Sequence, residues 1–268
     1  MALKDITLGQ YFPGTSLIHR LDPRSKILFT LFYVVAIFLC KQLVSYGIAL
    51  VILLILIRIS KVQPKVFLKG MKPIVFIVVC TAVLNLFYTS GTVLWSFGIF
   101  KITEEGIWKA GFMVLRILML IACTLLLTYT TSPILLTDGL ERLMRPLKKV
   151  NFPVHELSMM MSIALRFIPT LLQETDKIIS AQKARGADFD TGNLMQKAKA
   201  LIPILIPLFI SSFRRAEDLA VAMECRCYHG DEGRTCLRQL VLKPRDWACI
   251  VFSIALCVLT GVLRYFGL

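Results

Sequence analysis

One stretch of the chain, residues 133–230, contains the same short pattern twice. The pattern occurs first at Ala181–Ala187, with the sequence AQKARGA, and again at Ala222–Tyr228, with the sequence AMECRCY. Each copy is a helical run that ends in an arginine four residues after an alanine. The stretch is too charged to cross a bilayer and too apolar to be an ordinary loop. We therefore predict two long helices that carry arginine-ended C-termini to a partner.

The periodicity around the first copy indicates one long helix. From His155 onward, apolar residues recur every three or four positions, which is the spacing of one helical face. Pro169 lies inside this helix and should kink it rather than end it. Gly186 is placed to end it in a left-handed turn. The second predicted helix runs from Leu194 to about Tyr228 and has two prolines in its apolar middle.

The rest of the chain is dominated by long apolar blocks. Of 268 residues, 56% are hydrophobic and only 18% are charged, whereas a soluble domain carries about a quarter charged residues. The blocks are of helix-spanning size. We predict an all-α polytopic membrane protein with about five membrane-spanning helices and two or three long helices on the cytoplasmic side. The predicted spans are residues 27–40, 43–57, 73–88, 107–129 and 247–265.

Basic residues between the spans predict the orientation. The N-terminal segment has four basic residues and the first loop has one, at Lys41. The second loop, from Arg58 to Lys72, has five basic residues and no acidic one. The excess of positive charge on cytoplasmic loops places the N-terminus in the cytoplasm. The predicted regions are 1–130, with the N-terminal segment and four spans, 131–245 on the cytoplasmic side, and 246–268 with the last span.

Several function classes are disfavoured by composition and motifs. The net charge of +14 does not indicate nucleic-acid binding, because many basic residues flank apolar spans instead of forming one patch. Cys225, Cys227, His229 and Cys236 lack the spacing of a metal site, since no Cys-x-x-Cys pair is present. No phosphate-binding loop ending in Gly-Lys-Ser/Thr is present, so ATP would have to bind to another chain. We find no paired acid, base or metal set that would indicate an enzyme.

Two interpretations of the repeated arginines remain open from the pattern alone. The end of a helix carries unpaired carbonyls and a partial negative charge, so Arg185 and Arg226 could be ordinary capping charges. Alternatively, each guanidinium could bind carboxylates or backbone carbonyls in a groove of a partner. The small residues Ala184 and Gly186 would allow close approach. Repetition of the pattern on two helices favours docking.

Several ordered motifs carry a resemblance to a known family. They are Asp22–Lys26, Arg145–Lys149, Phe152-Pro153, Leu165–Pro169 and the AQKARGA run. Over essentially its full length, the chain resembles the transmembrane T component of energy-coupling factor (ECF) transporters, the CbiQ-like family. These ABC-type transporters import vitamins and some metal ions in prokaryotes.

The resemblance implies a non-enzymatic coupling subunit in a prokaryotic plasma membrane. Two coupling helices dock on two ABC-type ATPases and transmit their ATP-driven motion to a separate substrate-binding membrane subunit, the S component. The chain itself then holds no cofactor, since ATP and Mg²⁺ bind to the ATPases. Its expected partners are the ATPases, the S component and the lipid bilayer, with no nucleic acid. The imported vitamin or micronutrient would touch another polypeptide.

Residues of the docking sites follow from the matching motifs. The family's Ala-Arg-Gly type motif corresponds to Ala184, Arg185 and Gly186. The second motif corresponds to Cys225, Arg226 and Cys227, which departs from the pattern. Cys227 should resist the left-handed turn that glycine permits. The local backbone is therefore expected to differ at the second site.

Three consecutive methionines provide a further hypothesis. Met159, Met160 and Met161 lie on the apolar part of the first long helix, where core packing is the simplest explanation. They could instead form an adaptable apolar surface that contacts the S component.

An alternative function is a conventional permease whose own transmembrane helices form the substrate path, although the predicted spans contain few polar residues. Arg116, inside the fourth span, is interpreted as pairing with a helix carbonyl or reaching toward the interface.

Overall fold

The structure is a computed structural model that describes residues 11–89, 92–97, 100–150, 152–187, 189, 194–230 and 240–266. The predicted all-α fold is confirmed, with eight α-helices in the described residues. The helices are α1 (Pro23–Leu39), α2 (Leu43–Ser60), α3 (Pro64–Tyr88), α4 (Glu104–Thr130), α5 (Pro133–Met144), α6 (Val154–Ala184), α7 (Leu194–Glu224) and α8 (Pro244–Phe266). A short 3-10 helix, Arg145–Val150, follows α5.

The chain forms two compact units. The described part of one lies within Gly9–Leu140 and Leu240–Leu268, and that of the other lies within Glu141–Gln239. The first unit therefore holds the helices α1–α4 and α8. The second holds α6 and α7.

Four described helices are long and apolar enough to cross a membrane, namely α2, α3, α4 and α8. The helix at the predicted first span, α1, has 17 residues, which is at the lower end of the length needed to cross. The third span starts earlier than predicted, because α3 begins at Pro64 and not at Pro73. Proline is well tolerated at the first helical position, and lysine has good helix propensity. Part of the predicted five-positive loop is therefore helical.

The predicted outer loop between α3 and α4 contains a two-stranded antiparallel hairpin. Its strands are β1 (Val93–Phe97) and β2 (Phe100–Thr103). Both strand sequences are rich in aromatic and β-branched residues, which suit extended backbone. This hairpin was not predicted from the sequence, and it leaves the fold class unchanged.

We call the first unit the membrane unit, because it holds the four helices that can cross a membrane. Its core lies between α1, α2, α4 and α8. Tyr33, Ala36, Ala49 and Cys123 are all fully or almost fully buried in one cluster. The hydroxyl of Tyr33 donates a hydrogen bond of 2.9 Å to the carbonyl of Ala49. Small residues such as Ala36 and Ala49 allow neighbouring helix backbones to approach closely, which is the usual basis of helix packing in membranes.

Arg116 is held by groups near the end of α1. Its Nη2 and Nε atoms donate to the hydroxyl of Tyr46 at 2.6 and 2.9 Å. A longer bond of 3.4 Å reaches the carbonyl of Cys40, the C-cap residue of α1. The guanidinium also lies 5.6 Å from the centroid of the Phe38 ring. The prediction that Arg116 pairs with a helix carbonyl is confirmed at Cys40, although its two shorter hydrogen bonds go to the side chain of Tyr46.

The segment Asp22–Lys26 joins three helix ends of this unit. Asp22 caps α1 by accepting from the backbone N–H of Arg24 at 2.9 Å. Its own N–H donates to the carboxylate of Asp246, in α8, at 2.7 Å. The Nζ of Lys26 donates to the carbonyl of Thr130, the last residue of α4, at 2.9 Å. These buried bonds satisfy helix-terminal groups that would otherwise be unpaired.

Candidate docking sites on α6 and α7

The first arginine lies at the C-cap of α6. The backbone N–H of Gly186 donates to the carbonyl of Lys183, and that of Ala187 donates to the carbonyl of Gln182, both at 3.0 Å. Gly186 has a φ of +88°. This pair of bonds around a left-handed residue is a Schellman motif. The predicted glycine cap is confirmed, and it places Arg185 at the last position of the helix.

The second arginine occupies the same position at the end of α7. Here Cys227 has a φ of +55°. Its N–H donates to the carbonyl of Glu224 at 2.9 Å, and the N–H of Tyr228 donates to the carbonyl of Met223 at 3.1 Å. The expectation that the local backbone would differ is therefore wrong. A left-handed conformation costs a non-glycine residue roughly 1–2 kcal/mol, and two backbone hydrogen bonds hold Cys227 in it.

Both arginines are exposed. Among the described residues, no side chain or backbone group forms a hydrogen bond or ion pair with the guanidinium of Arg185 or Arg226. The caps are made by the backbone alone, so neither guanidinium is needed to close the helix end. Each keeps its five N–H donors available to a partner. This argues for the docking interpretation over simple capping.

The flanking positions are exposed as well, at both ends. They are Ala184 and Gly186 at the end of α6, and Cys225 and Cys227 at the end of α7. A side-chain atom added at Gly186 would meet nothing within 4 Å. The two tripeptides therefore present open surfaces, and a partner could approach their backbone.

The helices α6 and α7 pack against each other in antiparallel fashion. The side chain of Gln182, at the end of α6, donates to the carbonyl of Pro203 in the first half of α7 at 3.4 Å. The hydroxyl of Tyr228, just after α7, contacts the sulfur of Met159 near the start of α6 at 3.1 Å. Contact positions therefore rise along one helix as they fall along the other.

The antiparallel arrangement puts the two arginines at opposite ends of the pair. Each helix has 31 residues, which corresponds to a length of about 46 Å at 1.5 Å per residue. Because Gln182 is level with Pro203 and Met159 with Tyr228, Arg185 and Arg226 are offset by about 24 residues, or roughly 36 Å along the pair. Sequence analysis predicted two arginine-ended helices but not this spacing.

A polar bridge links the middle of the two helices. The carboxylate of Glu174 in α6 accepts from the Nη2 and Nε atoms of Arg215 in α7, at 2.8 and 3.2 Å. The hydroxyl of Ser211 donates to the other carboxylate oxygen. The Ser211 hydrogen bond, together with Arg215, lowers the pKa of Glu174 below its ordinary value. The bridge fixes the register of the pair.

The three predicted contact methionines differ in exposure. Met159 is half-buried, while Met160 is 59% exposed and Met161 is also exposed. Core packing therefore does not account for Met160 and Met161. Their contact with an S component stays a prediction.

The helix α7 has a larger exposed apolar surface, which was not predicted from the sequence as a contact site. Four exposed residues, Ile202, Ile206, Phe209 and Phe213, follow one another at spacings of three and four. We call this set the α7 stripe. The rings of Phe209 and Phe213 stack with centroids 6.2 Å apart. The helical spacing was visible in the sequence, but only the structure separates an exposed apolar face from a buried one.

The fold and these ends define a class: a multi-pass helical membrane protein with a helix pair that ends in two exposed arginine caps. Comparison with known protein families agrees with this class. The family model CbiQ, described as cobalt transport protein, matches residues 14–237. Similar proteins named energy-coupling factor transporter transmembrane protein EcfT include one from Clostridium kluyveri, 55% identical with 98% of each chain covered. The Bacillus subtilis protein of that name is 46% identical, covering 98% of this chain and 99% of its own.

The chain therefore belongs to the EcfT group of the CbiQ family, the transmembrane coupling components of bacterial energy-coupling factor transporters. It is a transporter component and not itself an ATPase. This membership decides against the alternative of a conventional permease with its own substrate path.

Proposed function

We propose that Arg185 and Arg226 each dock on one of two ABC-type ATPases, and that α6 and α7 transmit the ATPase motion to a separate S component. One observation carries this proposal. The same backbone cap presents an exposed arginine, unpaired within the described residues, at each of two opposite ends of one helix pair.

The chemistry of the ends fits docking into a groove. A guanidinium is planar, always charged, and binds carboxylates or carbonyls with two parallel hydrogen bonds. The small side chains of Ala184 and Gly186 let the partner reach the α6 end closely. Cys225 and Cys227 replace them at the α7 end with thiols, so the two docking surfaces share the arginine and differ in its surroundings.

Transmission needs contacts that couple the two helices. The Glu174–Arg215 bridge joins the helices near their middle, and contacts at Gln182 and Tyr228 join them near their ends. When the ATPases change their separation, each docked end moves with its ATPase, and these contacts transmit the movement along the helices, which act as levers. ATP and Mg²⁺ bind to the ATPases, and this chain contributes no cofactor site.

The apolar surfaces on these helices suit a membrane-embedded partner. The α7 stripe and the exposed Met160 and Met161 are apolar side chains with no cover among the described residues. Methionine adapts its shape to different surfaces. We assign these residues to contact with the S component, which binds the vitamin or other micronutrient to be imported.

The orientation follows from charge. An N-terminus in the cytoplasm places residues 131–245, with both arginine caps, on the same side as the ATPases. The proposed regions are the first four spans within 1–130, the cytoplasmic coupling region 131–245 and the last span within 246–268, in a bacterial plasma membrane.

Docking is tested by reversing both arginine charges. Arg185→Glu combined with Arg226→Glu should abolish co-purification of the ATPases without affecting membrane insertion, because a carboxylate repels the acceptor groups that a guanidinium binds. The matched control is Arg166→Glu with Arg214→Glu, which makes the same charge change at exposed positions of the same helices. Normal ATPase recovery with the first variant, or equal loss with the control, would contradict the proposal.

Contact with the S component is tested separately. Met160→Asp, and independently Phe209→Asp, should weaken recovery of the S component by roughly tenfold or more while ATPase recovery stays normal, since a buried unpaired carboxylate is costly. Leu201→Asp is the control, because Leu201 is exposed on α7 but about 100° away from the stripe. Equal loss of both partners would show that the helix pair was damaged, and this assignment would fail.

A further inference from the structure

One face of α3 changes from cationic to apolar along its length. Lys65, Lys69 and Lys72 are followed at the same helical spacing by Phe76, Val79 and Val83. Successive members are three or four residues apart, so all six lie on one side of the helix. The lysines are exposed, and the apolar members are 77%, 54% and 46% exposed. We call this set the α3 face.

Two further cations extend the charged half of the face. Arg58 lies in the last turn of α2 and Lys61 follows that helix, and both are exposed. No aspartate or glutamate occurs between residues 23 and 103. Within the described part of the chain, none of the five cationic side chains forms a hydrogen bond or ion pair. Among the described residues, no carboxylate therefore neutralises these five cations by an ion pair.

The start of α3 adds to the positive potential. Gln63, its N-cap residue, makes no side-chain capping bond. Pro64, the first residue of α3, has no N–H, and that of Val66 donates to the carbonyl of Gln63 at 2.9 Å, so the helix start contributes through the positive end of its dipole, which lies beside the lysines and favours an anion. The side-chain charges, which no carboxylate between residues 23 and 103 offsets, and the helix dipole both point to an anionic ligand.

The apolar half of the α3 face decides between ligand classes. A soluble phosphate or an acidic protein surface would account for the lysines but not for Phe76, Val79 and Val83 on the same side. An anionic phospholipid accounts for both, because its phosphate lies at the membrane surface and its acyl chain runs along the span. The helix α3 is one of the four that can cross a membrane, so its exposed apolar residues are available to lipid chains.

We propose that the α3 face binds an anionic phospholipid, with the headgroup phosphate held by Lys65, Lys69 and Lys72 and an acyl chain lying along Phe76, Val79 and Val83. Arg58 and Lys61 widen the cationic surface for a second headgroup. The lipid fixes the depth at which this end of the membrane unit sits. The proposal depends on membrane insertion and is independent of ATPase docking.

The test uses the full chain in phosphatidylcholine vesicles containing a minority of phosphatidylglycerol. Electron spin resonance of spin-labelled phosphatidylglycerol and phosphatidylcholine gives their relative association with the protein. Lys65→Gln, Lys69→Gln and Lys72→Gln together should lower the preference for phosphatidylglycerol by roughly tenfold or more, given the contribution of each lysine near an anionic surface. Glutamine preserves helix propensity and most of the side-chain length. The control, Lys41→Gln with Lys109→Gln and Arg264→Gln, removes three exposed cations elsewhere and should retain the preference.

Other outcomes overturn the proposal. If the triple variant keeps the preference for phosphatidylglycerol, the three lysines do not bind the lipid. If the control variant loses the preference equally, the preference is a general effect of positive charge. Displacement of the lipid by millimolar glycerol phosphate would indicate a soluble-anion site. Loss of ATPase recovery with unchanged lipid preference would indicate a protein interface. With the unmodified chain, raising NaCl from about 0.15 to 1 M should also reduce the preference, because exposed charges are screened. A salt-independent preference would count against the lysines without any variant.

Discussion

At the residue scale, Cys227 is the position where sequence rules and structure differ. It has a φ of +55° where glycine is the usual residue. Cys227→Gly should stabilise the protein by about 1 kcal/mol, because glycine adopts a left-handed conformation without steric cost. Cys227→Val should destabilise it, since branching at Cβ increases that cost. The measurement is the thermal unfolding midpoint in detergent.

The matching position at the other end serves as the control. Gly186 has a φ of +88°, so Gly186→Ala should lower the unfolding midpoint by an amount similar to the gain from Cys227→Gly. A lower midpoint for Cys227→Gly would mean that the thiol makes a stabilising contact that outweighs the backbone strain.

These two positions also show what local sequence can predict. Gly186 was correctly predicted as a cap because glycine is the residue that tolerates this conformation most easily. Cys227 was predicted to resist it, since propensity describes a residue in isolation. Two backbone hydrogen bonds at the end of α7 outweigh that preference, and only coordinates reveal them. The arginine positions themselves followed from the repeated spacing.

At the scale of elements, the Glu174–Arg215 bridge holds the α6–α7 pair. Glu174→Arg and Arg215→Glu should each weaken the pair by about 1 kcal/mol, because each places like charges together at a partly exposed site. The double exchange should recover part of the loss. A double-mutant cycle on thermal stability measures this coupling, and strictly additive losses would show that the two residues do not interact.

The same bridge predicts a pH dependence. The pKa of Glu174 is lower in the folded protein than its ordinary value of 4.5. The carboxylate therefore contributes stability that is present above about pH 4.5 and is lost as the pH falls through the folded pKa. Unfolding midpoints measured between neutral and acidic pH should show a decline that is smaller in Glu174→Gln. Identical declines in both proteins would exclude Glu174 as a source.

Periodicity in the sequence is sufficient to predict single helices but not how they pack against each other. The helices α6 and α7 were predicted near their observed bounds, including the internal prolines, because an apolar stripe and a cap define each. Their antiparallel register was not predicted. Contacts such as Gln182 with Pro203 join residues far apart in sequence, and no local pattern encodes them. The start of α3 was placed too late because hydropathy follows the membrane core, while the lysines extend the helix beyond it.

At the scale of the whole molecule, the separation of the two caps within the α6–α7 unit can be measured. Spin labels at positions 181 and 222, introduced as unnatural amino acids so that native cysteines stay unlabelled, should give a distance of about 26 Å by electron–electron double resonance, from about 16 residues of offset along the pair and about 9 Å between the helix axes. Labels at the exposed positions 173 and 214 are the control and should be closer, since the neighbouring Glu174–Arg215 bridge places them level with each other. A distance below about 15 Å between 181 and 222 would contradict the antiparallel arrangement.

The two caps also have a consequence for how a complex is put together. Their backbones are equivalent, yet one arginine stands between alanine and glycine and the other between two cysteines. If non-identical ATPases bind, each can distinguish its own end by these neighbours while using the same arginine contact. The two ends of the helix pair are then not equivalent, and each ATPase binds only its own end. The assembled transporter therefore has one arrangement of its ATPases and not the exchanged one.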